Sequence, residues 1–327
     1  MARHSELVTV KGTDLEITKL SFGSAPLGSL FQKVAESDSD ELVSSVLDSG
    51  IGYLDTAPLY GYGVAERRIG RIVQKSSKPY VLSTKVGRLI RPGVNTELDK
   101  FPDANPDEEI YVDTSPDGIR KSLHDSLERL GVSSIQIVYI HDADDWISDA
   151  VNVVFPVLAE LRSQGLIKAV GIGMNWCETA AKIMKDTDLN IALIAGRYTL
   201  LDQSAQTELY PLALKKNVSI VAAGVYNSGV LARPERGSYY DYLPASDEII
   251  ARAKNIGEFL KAYDVSLTSA ALQFPLRHPA VATVLSGAGN ANELKANIAD
   301  FNKELPANLW AEMESAGLIA PLTGSLN

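Results

Sequence analysis

Residues 115–141 read SPDGIRKSLHDSLERLGVSSIQIVYIH, and this stretch decides the fold class. Ser115 is a helix-capping type, Pro116 suits the first helical position, and Ile119, Leu123, Leu127 and Leu130 make an apolar stripe. Gly131 fits the left-handed residue that stops such a helix. Ile135 to His141 then reads as a short apolar strand ending on a polar side chain. A helix running straight into such a strand is half of a βαβ unit, and the rest of the chain repeats it.

Upstream, strands are predicted at Leu20–Ala25, Tyr53–Ala57 and Tyr80–Val86, alternating with helices at Asp40–Ser49 and Ala65–Val73. Downstream come helix Ala150–Gln164, strand Ala169–Met174, helix Glu178–Lys185, strand Ile191–Gly196 and helix Gln206–Lys216. Strand Ser219–Gly224, helix Asp247–Ala262 and strand Val281–Ser286 follow, and Asn292–Phe301 reads as the last regular helix. A hairpin at Glu6–Thr18 precedes them. Eight parallel units imply a closed (β/α)₈ TIM barrel rather than an open sheet, since no strand runs into Gly-x-Gly-x-x-Gly. No linker divides the chain, so residues 1–327 read as one domain. Two connections, Gly87–Thr114 and Val225–Ser246, are long enough to overhang the C-terminal rim, where barrels carry their function.

Composition narrows the function classes. The net charge of −10 argues against nucleic-acid partners and anionic membranes. The one cysteine, Cys177, cannot form an intramolecular disulfide, and the four histidines show no metal-ligand spacing. No run reaches the ~18 apolar residues of a membrane span, and the first residues carry no apolar leader, so a cytoplasmic protein is expected.

Polar groups recur where barrel strands end. Asp55 closes Gly52-Tyr53-Leu54-Asp55, Tyr60 lies on the following turn, Lys85 ends Ser83-Thr84-Lys85, and His141 ends Val138-Tyr139-Ile140-His141. Singly, Asp55 or Lys85 reads as a structural ion pair and His141 as a satisfied core histidine. Together on one rim they make a proton-handling set. A tyrosine with a pKa near 10 is a poor base at neutral pH, and a nearby ammonium stabilises its phenolate. Tyr60 is therefore read as the acid/base, Lys85 as its activator, Asp55 as the anchor of Lys85, and His141 as the group orienting the substrate oxygen.

The run Gly52 to Gly61 followed by Glu66-Arg67-Arg68-Ile69-Gly70, with Ser83-Thr84-Lys85, Val138 to His141 and the late Ser286-Gly287-Ala288 with Asn297, resembles the aldo-keto reductases. The segments Ala25-Pro26-Leu27-Gly28, Gly196 to Gln203 and Tyr226 to Leu231 are similar to the D-threo-aldose 1-dehydrogenase (L-fucose dehydrogenase) branch. The resemblance implies a single-domain barrel that uses NAD(P) and oxidises the anomeric carbon of an aldose to a lactone. Its alternative is a family enzyme acting on pyridoxal or another aldehyde or secondary alcohol. A Schiff-base enzyme built on Lys85 is a competing class, as is a regulatory binding subunit.

By the same resemblance, Asn175 bonds the nicotinamide carboxamide, and Tyr226 or Gly224 lies nearest the ring. Asn227, Ser228, Gly229 and Leu231 follow the diphosphate. Ser286, Gly287 and Ala288, before the helix carrying Asn297, offer a helix N-terminus to phosphate. Glu293 would accept the adenosine ribose hydroxyls and repel a 2′-phosphate, and Gly289 stands where NADP-binding relatives carry arginine. NAD is thus expected, with NADP as the alternative. This chain has Ala195-Gly196-Arg197 where many members carry a glutamine. Pro26, Leu27, Asp142 and Trp146 are expected to line the pocket for a small sugar or aldehyde. Asp142, with Asp144 and Asp145, reads equally as a solvated acidic loop.

Overall fold

The computed structural model describes residues 4–323, so both ends of the 1–327 span lie outside the described residues. Eight parallel strands close into a barrel in chain order: β1 Leu20–Gly23, β2 Tyr53–Asp55, β3 Val81–Val86, β4 Ile137–His141, β5 Ala169–Met174, β6 Ile191–Ala195, β7 Ser219–Ala223 and β8 Val281–Gly287. The barrel closes where β8 pairs with β1, Val284 opposite Leu20 through Gly287 opposite Gly23.

The strands are nearly all buried, and their period-two alternation divides the core in two. Tyr53, Ile137, Tyr139, Ile191 and Leu193 point into the barrel, while Leu54, Leu82, Val138, Ile140 and Ile172 face the helices. The same alternation sends Asp55 inward two residues after Tyr53, and His141 two after Tyr139. The antiparallel N-terminal hairpin, Leu7–Thr9 with Glu16–Thr18, packs Val10, Leu15 and Ile17 into the inner cluster.

Helix Pro116–Leu130 shows how locally the sequence acts. The Ser115 hydroxyl accepts from Gly118 N at 3.1 Å, and Gly131 ends the helix at φ 63. Elsewhere the structure corrects the reading. Helix Leu267–Gln273, capped by Ser266, precedes β8, and helix Leu309–Ser315 follows Ala291–Asn302, which is therefore not the last. Each has seven residues, too few for a clear 3.6-residue period, and is held by packing of Leu272, Leu309 and Met313. The expected helix Gln206–Lys216 splits into a 3₁₀ turn at Ser204–Gln206 and a helix at Leu209–Lys215, whose first turn accommodates Pro211.

Both long rim connections contain hairpins. Arg88–Pro92 pairs with Glu108–Val112 in the first, and Tyr239–Tyr240 with Leu243–Pro244 in the second. No helix among the described residues is long and apolar enough to cross a membrane.

Candidate active site

Lys85 Nζ is the centre of the site. It donates to Asp55 Oδ2 at 2.7 Å, to the carbonyl of Thr56 at 2.9 Å and to the Tyr60 hydroxyl at 3.1 Å. Asp55 is 0% and Lys85 1% exposed. The other carboxylate oxygen, Asp55 Oδ1, accepts from Ser83 Oγ at 2.6 Å. Ser83 in turn meets the Tyr53 hydroxyl at 3.0 Å, and Tyr53 meets Tyr139 at 2.7 Å. A buried charge pair is tolerated only when its remaining polar positions are filled, and this chain of hydroxyls fills them.

Backbone geometry fixes each member. Gly173, opposite His141 in the β4–β5 register, leaves room for the lysine stem, since a Cβ there would sit 3.3 Å from Lys85 Cε. Gly28 lets the loop after β1 press on the Tyr60 turn, where a Cβ would lie 2.6 Å from the Tyr60 carbonyl carbon. The Tyr60 and His141 rings meet edge to face, with centroids 6.1 Å apart.

Protonation follows from burial. His141 lies well below the ordinary histidine value, first because burial disfavours the cation and then because Lys85, Arg88 and Lys100 repel it. It is a neutral imidazole at neutral pH. Tyr60 lies well above the ordinary tyrosine value, first through burial and then through the Asp55 carboxylate. Tyr60 stands as a protonated donor. Asp142, at φ 44, is also raised by burial and lies 3.5 Å from both Arg88 Nη2 and His141 Nε2.

Two cavities meet at Tyr60. A groove of about 360 Å³ runs from Tyr60 and Asn175 past Tyr226 to Glu293. A chamber of about 210 Å³ is floored by Tyr60, Lys85 and His141, with Leu59, Phe101, Met174 and Asp142 on its walls. Asn175 and Tyr242 line both.

The groove brings together most of the residues read as cofactor-binding. Asn175, Tyr226, Asn227, Ser228 and Gly229 form one side, and Ser286, Gly287, Ala288 and Glu293 the other. Asn297 braces it from below, accepting from the Tyr226 hydroxyl at 2.9 Å and donating to the Gly287 carbonyl at 3.1 Å. Glu293 accepts from Gly289 N at 2.7 Å and Asn290 Nδ2 at 3.0 Å, while Asn290 caps the helix at Glu293 N. Leu231 is fully buried in the outer core and lines neither cavity.

The residues read as substrate-binding divide. Asp142 lines the chamber, whereas Pro26 lines the groove and packs against Gly287. Leu27 is fully buried in the core, and Trp146 packs over Gly87; neither lines the groove or the chamber. Tyr242 reads in sequence as a loop aromatic facing substrate or cofactor, whereas Gln32, Lys100 and Asp241 are among the lining residues that escaped the sequence reading. All four come from rim loops whose path is set by contacts far along the chain.

The groove suits an extended dinucleotide on its own chemistry. The Asn227 side chain is 2% exposed and donates to the Gly196 carbonyl at 3.2 Å, yet its Oδ1 has no partner among the described residues. A buried acceptor left open on a groove wall matches a bound ligand with donors.

The profile of the aldo/keto reductase family matches residues 19–317. A pyridoxal 4-dehydrogenase from Microbacterium luteolum is 38% identical over 97% of this chain and 98% of its own length. A D-threo-aldose 1-dehydrogenase from a Pseudomonas species is 38% identical over 93% of this chain and 95% of its own. Among solved structures, a glycerol dehydrogenase from Gluconobacter oxydans superposes with a TM-score of 0.78 at 21% identity, covering 99% of this chain and 98% of that one.

Proposed function

This chain belongs to the aldo/keto reductase family of nicotinamide-dependent oxidoreductases, and from that premise we propose that it is an NAD-dependent aldose 1-dehydrogenase acting as one domain. The observation carrying this reading is Lys85 Nζ, 2.7 Å from Asp55 and 3.1 Å from the Tyr60 hydroxyl, beneath a chamber that opens into the groove.

The residues divide the work of oxidising a hemiacetal hydroxyl. Neutral His141 holds the substrate oxygen beside Tyr60, and Asp142 accepts from a neighbouring hydroxyl. Tyr60, having first released its own proton to solvent, is held as a tyrosinate by donation from Lys85, which Asp55 keeps in place, and it then takes the hydroxyl proton to become the phenol. When bound, oxidised nicotinamide supplies the hydride acceptor and a positive charge that favours deprotonation of Tyr60. In the opposite direction Tyr60 is already protonated and donates to a carbonyl.

Asn175 and the loop Tyr226–Gly229 support cofactor binding along the groove, with Ser286, Gly287 and Ala288 on the facing side. Glu293 supports NAD over NADP, because a carboxylate at the groove's end repels a second phosphate. A second reading, oxidation of pyridoxal or another aromatic aldehyde or alcohol, is favoured by the apolar walls Leu30, Leu59, Phe101 and Met174. Purified protein with NAD⁺ and L-fucose, D-arabinose or pyridoxal, followed by NADH absorbance, separates the two. Turnover of pyridoxal with none of any aldose refutes the first reading.

A further inference from the structure

Arg197, on the turn after β6, is 6% exposed and carries a permanent charge. Its guanidinium joins three separate segments. Nε donates to the Asn175 carbonyl at 2.8 Å, and Nη1 donates to Asp202 Oδ2 at 3.1 Å and Asp241 Oδ2 at 2.9 Å. The Trp176 ring stacks on it, with its centroid 4.5 Å from Cζ. Asn175 follows β5 and borders both cavities. Asp241 belongs to the second rim loop and lines the groove.

The loop needs such an anchor. Asp241 and Tyr242 both hold left-handed backbone, at φ 49 and φ 62, which non-glycine residues adopt at a cost. Ser228 Oγ accepts from Tyr242 N at 3.0 Å, and Arg197 holds the Asp241 carboxylate. Tyr242 is thereby kept between groove and chamber. The same guanidinium fixes the main chain of Asn175 through a different nitrogen, so loop and asparagine share one rigid planar fork.

We propose that Arg197 is a positioning residue that couples the seat of the rim loop, through Asp241, to the orientation of Asn175 beside the nicotinamide. The proposal rests on the reading of Asn175 as the carboxamide partner. An ion pair serving stability alone needs only the carboxylates, and a lysine could meet them. The bond to the Asn175 carbonyl needs the fork, and an ammonium cannot reproduce both directions.

The test uses the full chain. NAD⁺ affinity is measured by calorimetry, hydride transfer by single-turnover NADH formation, and stability by thermal melting, for Arg197→Lys, Asp241→Asn, their double variant and Asn175→Ala. Arg197→Lys is expected to melt close to the wild type, to bind NAD⁺ about tenfold more weakly and to slow hydride transfer by about 10- to 100-fold. Asp241→Asn shifts both in the same direction by less, and the double variant is no worse than Arg197→Lys, as expected of a shared contact. Wild-type NAD⁺ affinity and hydride transfer in Arg197→Lys, or strict additivity in the double variant, overturns the proposal. An impaired Asn175→Ala beside an unaffected Arg197→Lys overturns the coupling alone. An unaffected Asn175→Ala beside an impaired Arg197→Lys removes the carboxamide reading, and the coupling with it.

Discussion

Replacing Lys85 by methionine separates the structural and chemical roles of the buried pair. Asp55 is 0% exposed and has two side-chain partners, Lys85 at 2.7 Å and Ser83 at 2.6 Å. The substitution removes the counter-charge and leaves a buried carboxylate with a single hydroxyl donor. Breaking such a pair from one side costs about 3–5 kcal/mol, which lowers the melting midpoint by something on the order of 10 °C. Adding Asp55→Asn removes the stranded charge while keeping an acceptor for Ser83, so the double variant recovers most of that loss. Activity behaves differently. Tyr60 loses its ammonium partner in both variants, and kcat/KM falls by about 10²- to 10⁴-fold in each. Differential scanning calorimetry read beside steady-state kinetics checks both. The reasoning is refuted if the double variant is no more stable than Lys85→Met, or if Lys85→Met turns over within tenfold of the wild type.

Tyr60→Phe is expected to lose about 10²- to 10⁴-fold in kcat with NAD⁺ affinity retained, measured by single turnover and calorimetry; unchanged turnover would sink the acid/base assignment. Glu293 is exposed at the groove's end, so Glu293→Gln raises NADP use relative to NAD by no more than about fivefold, read as the ratio of kcat/KM values. His141 is held well below its ordinary value, so the unfolded chain takes up a proton first as pH falls, and the residue withdraws stability below about pH 6.5. Denaturant titrations across that range should show a shallower acid-side decline for His141→Gln than for the wild type.

How much of this was legible follows from the range of each interaction. The barrel was readable because its information is local: Ser115 and Gly131 bracket one helix, and alternation in Ile137 to His141 sorts inward from outward side chains. Asp55, Lys85 and His141 could be placed on one rim because each ends such a strand. The short helices Leu267–Gln273 and Leu309–Ser315 were not readable, since tertiary packing rather than period defines them. The placing of Leu27 and Trp146 was unreadable for a related reason. An apolar residue beside a site motif fits core and pocket equally, and only the fold shows that they border neither cavity.

The limit is sharpest at Arg197. Its partners Asn175, Asp202 and Asp241 lie 22 residues before it and 5 and 44 after it, and nothing local marks them as a set. In sequence the arginine appears only as a departure from a glutamine. In the structure its guanidinium turns to the protein, to the Asn175 carbonyl and the Asp202 and Asp241 carboxylates. On the proposed reading, substrate choice rests on what the rim loops present, Lys100 and Phe101 from the first and Tyr242 from the second, over a floor of Tyr60, Lys85 and His141. Exchanging those loop residues should therefore change which carbonyl or alcohol is accepted while leaving the proton-transfer set intact. A loop variant that loses turnover of every substrate despite native NAD⁺ affinity would show that floor and walls are not separable.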